Sequence, residues 1–318
     1  MKKTAFFGTA LLCVMIFTGC SLSPTAGGKS YALVYGISQY NPLYSEGFSV
    51  NLVYPNDDAV SVSELLEKKG YEVTLRLDQE GSKEMLLYDL SSYASLMTPD
   101  DTFVFYFAGH GVQSDIEGLP ETELESASSD SYDEWLLFSD SLVYEGPFVT
   151  EILSDQALQD DELNTLFSKL PADRKIILID ACNSGGFIGQ GADIDGISQD
   201  YDEEESTKLF SRSFSLYFRT PGSGYDVSSG EAIVLSAAGE REFSWESSTL
   251  GHGVFTYYLL QSSLYGDTDK NGYVTMTEIY SFVTRSIQEN WNNVVFNDYQ
   301  FHPHISGGPV DFVLFTAD

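Results

Sequence analysis

The stretch that decides the fold is Lys175–Gly186, KIILIDACNSGG. Four consecutive aliphatic residues, Ile176 to Ile179, read as a short strand buried on both faces, which is the habit of a parallel sheet. The apolar run breaks at Asp180-Ala181-Cys182, and Asn183-Ser184-Gly185-Gly186 follow. In an open parallel sheet the loops beyond the carboxyl ends of the strands carry ligands and chemistry. A thiol placed there is expected to face substrate; the blander reading of Cys182 is a small buried hydrophobe.

Thr102–Phe107, TFVFYF, has the same grammar and ends in Ala108-Gly109-His110-Gly111. Glycines on either side of the imidazole leave room for a close-approaching backbone. Neighbouring parallel strands lie roughly 4.8 Å apart. If these two are neighbours, His110 and Cys182 emerge from one sheet edge within reach of each other. A cysteine whose base comes from elsewhere in the sequence is the layout of a cysteine hydrolase.

Outward from these strands the pattern alternates. Tyr31–Ile37 reads as the first strand, and Ser38–Pro55 as a loop turning at Asn41-Pro42. Asn56-Asp57-Asp58 opens a helix that runs to about Lys69 and ends at Gly70, with Asp57 or Asp58 as its cap. Tyr71–Leu77 alternates like a half-exposed strand, and Ser82–Met97 is a helix leading into the strand that delivers His110. Strand–helix alternation of this kind makes a doubly wound α/β sheet with right-handed crossovers. Further on, Trp135–Phe138 reads as a strand and Asp160–Leu170 as a helix. Ala232–Ala237 is the next strand, Gly253–Leu264 and Met276–Trp291 are helices, and Pro309–Phe315 is a closing strand. Ser114–Asp133, rich in Ser, Asp and Glu, reads as a solvated loop. The longest irregular stretch is Gly189–Gly230, with the acidic run Asp202–Glu205; loops this long tend to be functional or disordered.

The chain has 318 residues, enough for a full core, and its net charge is -32. Such a surface repels nucleic acid and anionic lipid and suits cations and basic peptides, although most of these carboxylates serve solubility. At the start, Lys2 and Lys3 precede the apolar stretch Ala5–Phe17 and then Thr18-Gly19-Cys20. The stretch is too short to span a bilayer and reads as a signal peptide over residues 1–19. Small residues before Cys20 resemble a bacterial lipoprotein signal. That resemblance implies a mature chain beginning at a lipidated Cys20, palmitate among its acyl chains, tethered by residues 20–30 to a membrane of the bacterial cell envelope, outside the cytoplasm. The competing reading is an ordinary secretory signal cut nearby. Of three cysteines, Cys13 leaves with the signal and Cys20 is acylated, so Cys182 remains as a lone thiol.

AGHG after one strand and DACNSGG after another, in that order, resemble the caspase-like cysteine peptidases, and within them the bacterial metacaspase-type members. YGISQYN at Tyr35–Asn41, NDDA at Asn56–Ala59, AIVLSAAGERE at Ala232–Glu242 and GHGVFTYYLL at Gly251–Leu260 add to the likeness, which spans residues 31–318. It implies a three-layer fold, a mostly parallel doubly wound sheet with helices on both faces. It also implies a peptidase whose nucleophile is Cys182 and whose base is His110, with the backbone amides of Gly111 and Cys182 holding the oxyanion. In metacaspase-type relatives an Asp two residues before the thiol and a second acid form a pocket for the substrate's Arg or Lys. Asp180 and Asp58 match these positions, and for both the plain alternative is local structure, a strand end and a helix cap. Ala108 stands where some relatives carry Ser, and Asn183 where eukaryotic relatives carry His. The segment corresponding to 189–230 is often where such enzymes cut themselves.

One motif stands apart. Asp267–Glu278, DTDKNGYVTMTE, fits the twelve-residue EF-hand loop. Asp267, Asp269 and Asn271 take positions one, three and five, with Gly272 at the sharp turn. Tyr273 offers its carbonyl, Thr275 takes position nine, and Glu278 closes the set as the bidentate carboxylate. This predicts bound Ca²⁺; the alternative is an Asx-Gly turn followed by a capped helix. There is no phosphate loop and no Cys/His cluster, so neither nucleotide nor zinc is expected. The reading is a lipid-anchored cysteine endopeptidase acting on peptides or proteins with basic residues. Its rival is a non-catalytic surface scaffold of the same fold, stabilised by calcium.

Overall fold

The computed structural model describes residues 28–41, 43, 50–115, 132–145, 148–183, 232–238, 243–295, 299–306 and 311–317. The signal peptide, Cys20, most of the tether, the loop at 189–230 and the Cys182 side chain lie outside the described residues.

Strand β1 (Ser30–Gly36) is followed by helix α1 (Pro55–Lys68), strand β2 (Glu72–Leu77), helix α2 (Lys83–Leu96) and the long strand β3 (Thr102–Asp115). Next come β4 (Tyr132–Leu136), the hairpin β5 (Leu142–Glu145) and β6 (Phe148–Ile152), β7 (Leu158–Gln159), α3 (Asp160–Ser168) and β8 (Arg174–Asn183). The remainder is β9 (Ala232–Ser236), β10 (Glu246–Ser247), β11 (His252–Gly253), α4 (Val254–Tyr265), β12 (Tyr273–Thr275), α5 (Met276–Ile287), β13 (His304–Ser306) and β14 (Val313–Thr316).

The main sheet has the order β13-β9-β8-β3-β1-β2. All its neighbours are parallel except β13, which runs antiparallel along β9. Side chains alternate into two cores. Leu33, Tyr35, Phe103, Phe105, Phe107, Ile177 and Ile179 pack on one face, with Leu86, Leu90 and Tyr93 of α2 and Leu163 and Phe167 of α3. Ala32, Val34, Val104, Tyr106, Ile176 and Leu178 pack on the other, under Ala59, Val62 and Leu66 of α1, Phe255 and Leu259 of α4, and Ile279 and Val283 of α5. Burying each such large side chain contributes about 1.5–3 kcal/mol. Two packed faces explain why the central strands read as continuous apolar runs, and the expected three-layer α/β fold is the observed one.

Local signals behave as their chemistry suggests. Ser82 caps α2 by accepting the Met85 N–H, and Gly70 takes φ +91° past the end of α1. Four expectations need correction. Neither Asp57 nor Asp58 caps α1: the cap position is Tyr54, and Asp58 sits inside the first turn with its carboxylate turned to other partners. The strands expected to stop at Phe107 and Ile179 run on through His110 and Cys182, because β3 and β8 keep pairing with each other past those points. The ends of the Ser114–Asp133 segment belong to β3 and β4, which pair there. The closing strand, β14, begins at Val313 and pairs with β12, away from the main sheet.

Candidate active site

Pairing at the carboxyl end of the sheet is uneven. β1 matches β3 only as far as Gly36 opposite Ala108, and β9 matches β8 only as far as Ser236 opposite Ile179. β3 and β8 outrun both neighbours, and in the projecting ladder His110 is the partner of Cys182 and Gly111 of Asn183. The two residues expected to act together are therefore directly opposed on adjacent parallel strands. Gly111 also faces Leu136 across the β3–β4 ladder.

The imidazole does not stand at an open rim. His110 is 0% exposed, because the segment after β1 folds over it. Asn51 holds that segment: its Oδ1 accepts the N–H groups of Tyr40 (2.9 Å) and Asn41 (2.7 Å), and its Nδ2 donates to Asn41 O (2.9 Å). Tyr40 Oη accepts the His110 N–H at 2.7 Å and donates to Leu137 O at 3.1 Å, and its ring lies 4.4 Å from the imidazole, centroid to centroid. A Cβ on Gly109 would sit 2.6 Å from that hydroxyl, so only glycine admits the tyrosine here. His110 Nε2 lies 2.6 Å from Val50 O. A carbonyl can only accept, so Nε2 carries the proton, and in the neutral ring Nδ1 is the basic nitrogen.

On the α1 side of the sheet a second cluster forms. Asp58 and Asp180 are both buried and flank Gly253: a Cβ there would meet Asp180 Oδ2 at 2.7 Å and Asp58 Oδ2 at 2.9 Å. The pocket acids implied by the resemblance are thus brought together, and each already has internal partners. Asp180 accepts from Ser244 Oγ (2.6 Å), Thr256 Oγ1 (2.6 Å) and Thr256 N–H (3.2 Å). Asp58 accepts the Gly253 N–H (2.9 Å) and faces His252 Nδ1 at 2.6 Å. Burial, with the Asp180 charge adding to it against the His252 hydrogen bond, pushes Asp58 up to about 7. Burial also raises Asp180, against its Ser244 and Thr256 hydrogen bonds. The hydrogen bond to Asp58 raises His252. Both members of the Asp58–His252 pair hold protons more tightly than in water.

Sequence reasoning missed His252, Ser244, Thr256, Tyr40 and Asn51. A signal for His252 was present: Gly251-His252-Gly253 repeats the triplet Gly109-His110-Gly111.

In the loop at 267–278, Asp267, Asp269 and Glu278 each place a carboxylate oxygen within 4.8 Å of the others. Gly272, at φ +87°, makes the turn and donates its N–H to Asp267 Oδ2. Glu278 forms a capping box with Thr275 at the start of α5. This donor set fits a hard cation that takes oxygen ligands. Among the described residues no helix is long and apolar enough to cross a membrane.

A caspase-domain family model matches residues 29–305, and the chain belongs to that family. Among solved structures it is similar to protein GSU0716 from Geobacter sulfurreducens, at 18% identity and TM-score 0.53, covering 88% of this chain and 94% of that one. It is likewise similar to caspase-1 from Spodoptera frugiperda, at 14% identity and TM-score 0.53, covering 97% and 100%. Likeness at this identity speaks for the fold. No curated protein matches the sequence. Family membership supports a cysteine-peptidase type of function and a peptide or protein substrate.

Proposed function

We propose that the protein is a lipid-anchored cysteine endopeptidase that cuts after Arg or Lys. The carrying observation is the opposition of His110 and Cys182 on two strands that outrun their neighbours. Cys182 attacks the scissile carbonyl, with His110 Nδ1 taking the thiol proton and returning it to the leaving amine. The Val50 carbonyl and the Tyr40 ring fix the imidazole for this work. The backbone amides of Gly111 and Cys182 receive the oxyanion. Asp58 and Asp180 supply negative charge for the basic side chain before the cut. Asp267, Asp269, Asn271, the Tyr273 carbonyl, Thr275 and Glu278 would hold Ca²⁺, which would balance the loop's carboxylates and brace α4 against α5. Acyl chains on Cys20 would keep the domain at a membrane surface.

The test incubates purified protein with fluorogenic peptides ending in Arg, Lys or norleucine, beside Cys182→Ala, with and without Ca²⁺. Cleavage of the basic peptides by the parent chain alone is the expected result. Equal signal from both chains would leave a non-catalytic scaffold. Intact mass of the membrane-extracted protein checks the lipid: Cys20→Ala is expected to lose the added acyl mass and leave the membrane fraction.

A further inference from the structure

His252 is used by neither the dyad nor the oxyanion, yet it bonds directly to one of the acid pair. Its Nδ1 lies 2.6 Å from Asp58 Oδ1, with side-chain exposure of 21% against 3% for the aspartate. Of the three charged side chains in the cluster it is the one nearest water. The groups around it are acidic or neutral. Asp57 and Asp58 come from α1, Asp180 from β8, Tyr257 from α4, whose ring lies 6.3 Å away, and Ser247 lies opposite it on β10. The backbone is shaped to put it there. Gly251 takes φ +69°, where a side chain is strained, and Gly253 has no room for a Cβ between the two carboxylates.

We propose that His252 is a specificity-determining residue, a resident cation that occupies the acid pair where the substrate's basic side chain binds. The inference rests on the reading of Asp58 and Asp180 as the pocket for Arg or Lys. While the imidazole is protonated, it satisfies Asp58, and an incoming guanidinium meets a like charge. Once the proton leaves, the pair regains its uncompensated negative charge, and the same guanidinium meets two carboxylates. The hydrogen bond His252 donates to Asp58 outweighs the opposing effect of burial and lets the imidazole keep its proton to higher pH than a free histidine does. The direction follows: discrimination in favour of Arg over an uncharged side chain of similar length strengthens as pH rises. Proton release and cation binding are linked, so a bound cation must also make His252 easier to deprotonate.

The experiment measures KM and kcat for Arg- and norleucine-ended fluorogenic peptides from pH 6 to 8.5, on the full chain and on His252→Asn. In the parent chain, KM for the Arg peptide is expected to fall at least tenfold across this range while KM for norleucine stays level. In His252→Asn, KM for Arg is expected to lie below the parent's at the acid end and to change less across the range, the remaining change being the titration of Asp58. The same pH-dependent KM in both chains, with Arg still preferred, overturns the role of His252 and leaves the basic pocket standing. No preference for Arg in either chain overturns the pocket, and the inference with it. A readout that needs no turnover and no change at His252 uses Cys182→Ala. The titration midpoint of the His252 ring proton, followed by NMR, is expected to drop when benzamidine is added. A midpoint that benzamidine leaves unmoved overturns the inference even if His252→Asn does not fold.

Discussion

Two Gly-His-Gly triplets sit in this chain, and the fold uses them in opposite ways. His110 lies inside a strand, wholly buried, with its ring nitrogen against a backbone carbonyl and its face against Tyr40. His252 lies at the mouth of a helix, partly exposed, with its ring nitrogen against a carboxylate. A carbonyl orders the ring and selects the tautomer without bringing a charge. A carboxylate does the same and also stabilises the imidazolium. The first arrangement suits a group that must give and take a proton during turnover; the second suits one that releases it only as pH rises.

The comparison is most sharply tested by removing the rings. His110→Ala is expected to lower kcat/KM roughly 10²–10⁴-fold on every peptide, the range for losing a general base, without changing which peptide is preferred. A loss confined to basic peptides would reverse the two roles. Next in size, Asp180→Asn is expected to cut the preference for Arg over norleucine by ~30-fold or more, the lower end for truncating one partner of a buried charge pair. The ratio of kcat/KM for the two peptides measures it.

Changing shape with charge kept should cost stability. Gly253→Ala forces a methyl between two carboxylate oxygens and is expected to destabilise by about 1–3 kcal/mol in urea unfolding. Tyr40→Phe keeps the ring over His110 but removes the hydroxyl that serves His110 N–H and Leu137 O, at about 1–3 kcal/mol by the same assay.

Asp58→Asn probes charge alone. Asp58 and His252 are both raised in the folded state, so their stabilising contribution is full below their unfolded values. For Asp58 it is lost as pH climbs from about 4 toward about 7, and for His252 above its ordinary value. Relative to the parent, Asp58→Asn should therefore lose melting temperature at pH 4 and recover it by pH 8. A difference between the chains that is constant with pH would show that Asp58 carries no proton in the fold. The smallest effect is expected at the loop: chelating Ca²⁺ should lower the melting temperature by a few degrees, and Glu278→Gln should abolish that difference.

The layered fold was legible because both central strands are apolar on both faces, and because Ser82 and Gly70 mark helix ends with ordinary capping chemistry. The opposition of His110 and Cys182 was legible for a related reason: parallel neighbours whose apolar runs have similar lengths end at similar heights. What sequence concealed is pairing at long range. Nothing near Asp58 announces that its carboxylate turns to His252, 194 positions away, and nothing near His110 announces Val50 and Tyr40. A helix cap is the plain alternative for that acid because caps are local, and the fold uses it otherwise. The strand ends were misplaced for the same reason, since a glycine stops a strand only when no neighbour continues the ladder.

The stretch from Ser244 to Gly253 has one more consequence. Ser244 grips Asp180, the Glu246 carboxylate accepts the N–H groups of Val53 and Tyr54 just after Val50, and His252 grips Asp58. Ten residues from the last quarter of the polypeptide thus clasp parts made in its first and middle portions. On the ribosome, a half-finished chain would carry Cys182 and both aspartates long before these contacts could form. Made in this order, the peptidase proposed above gains its cleft only when synthesis is nearly done.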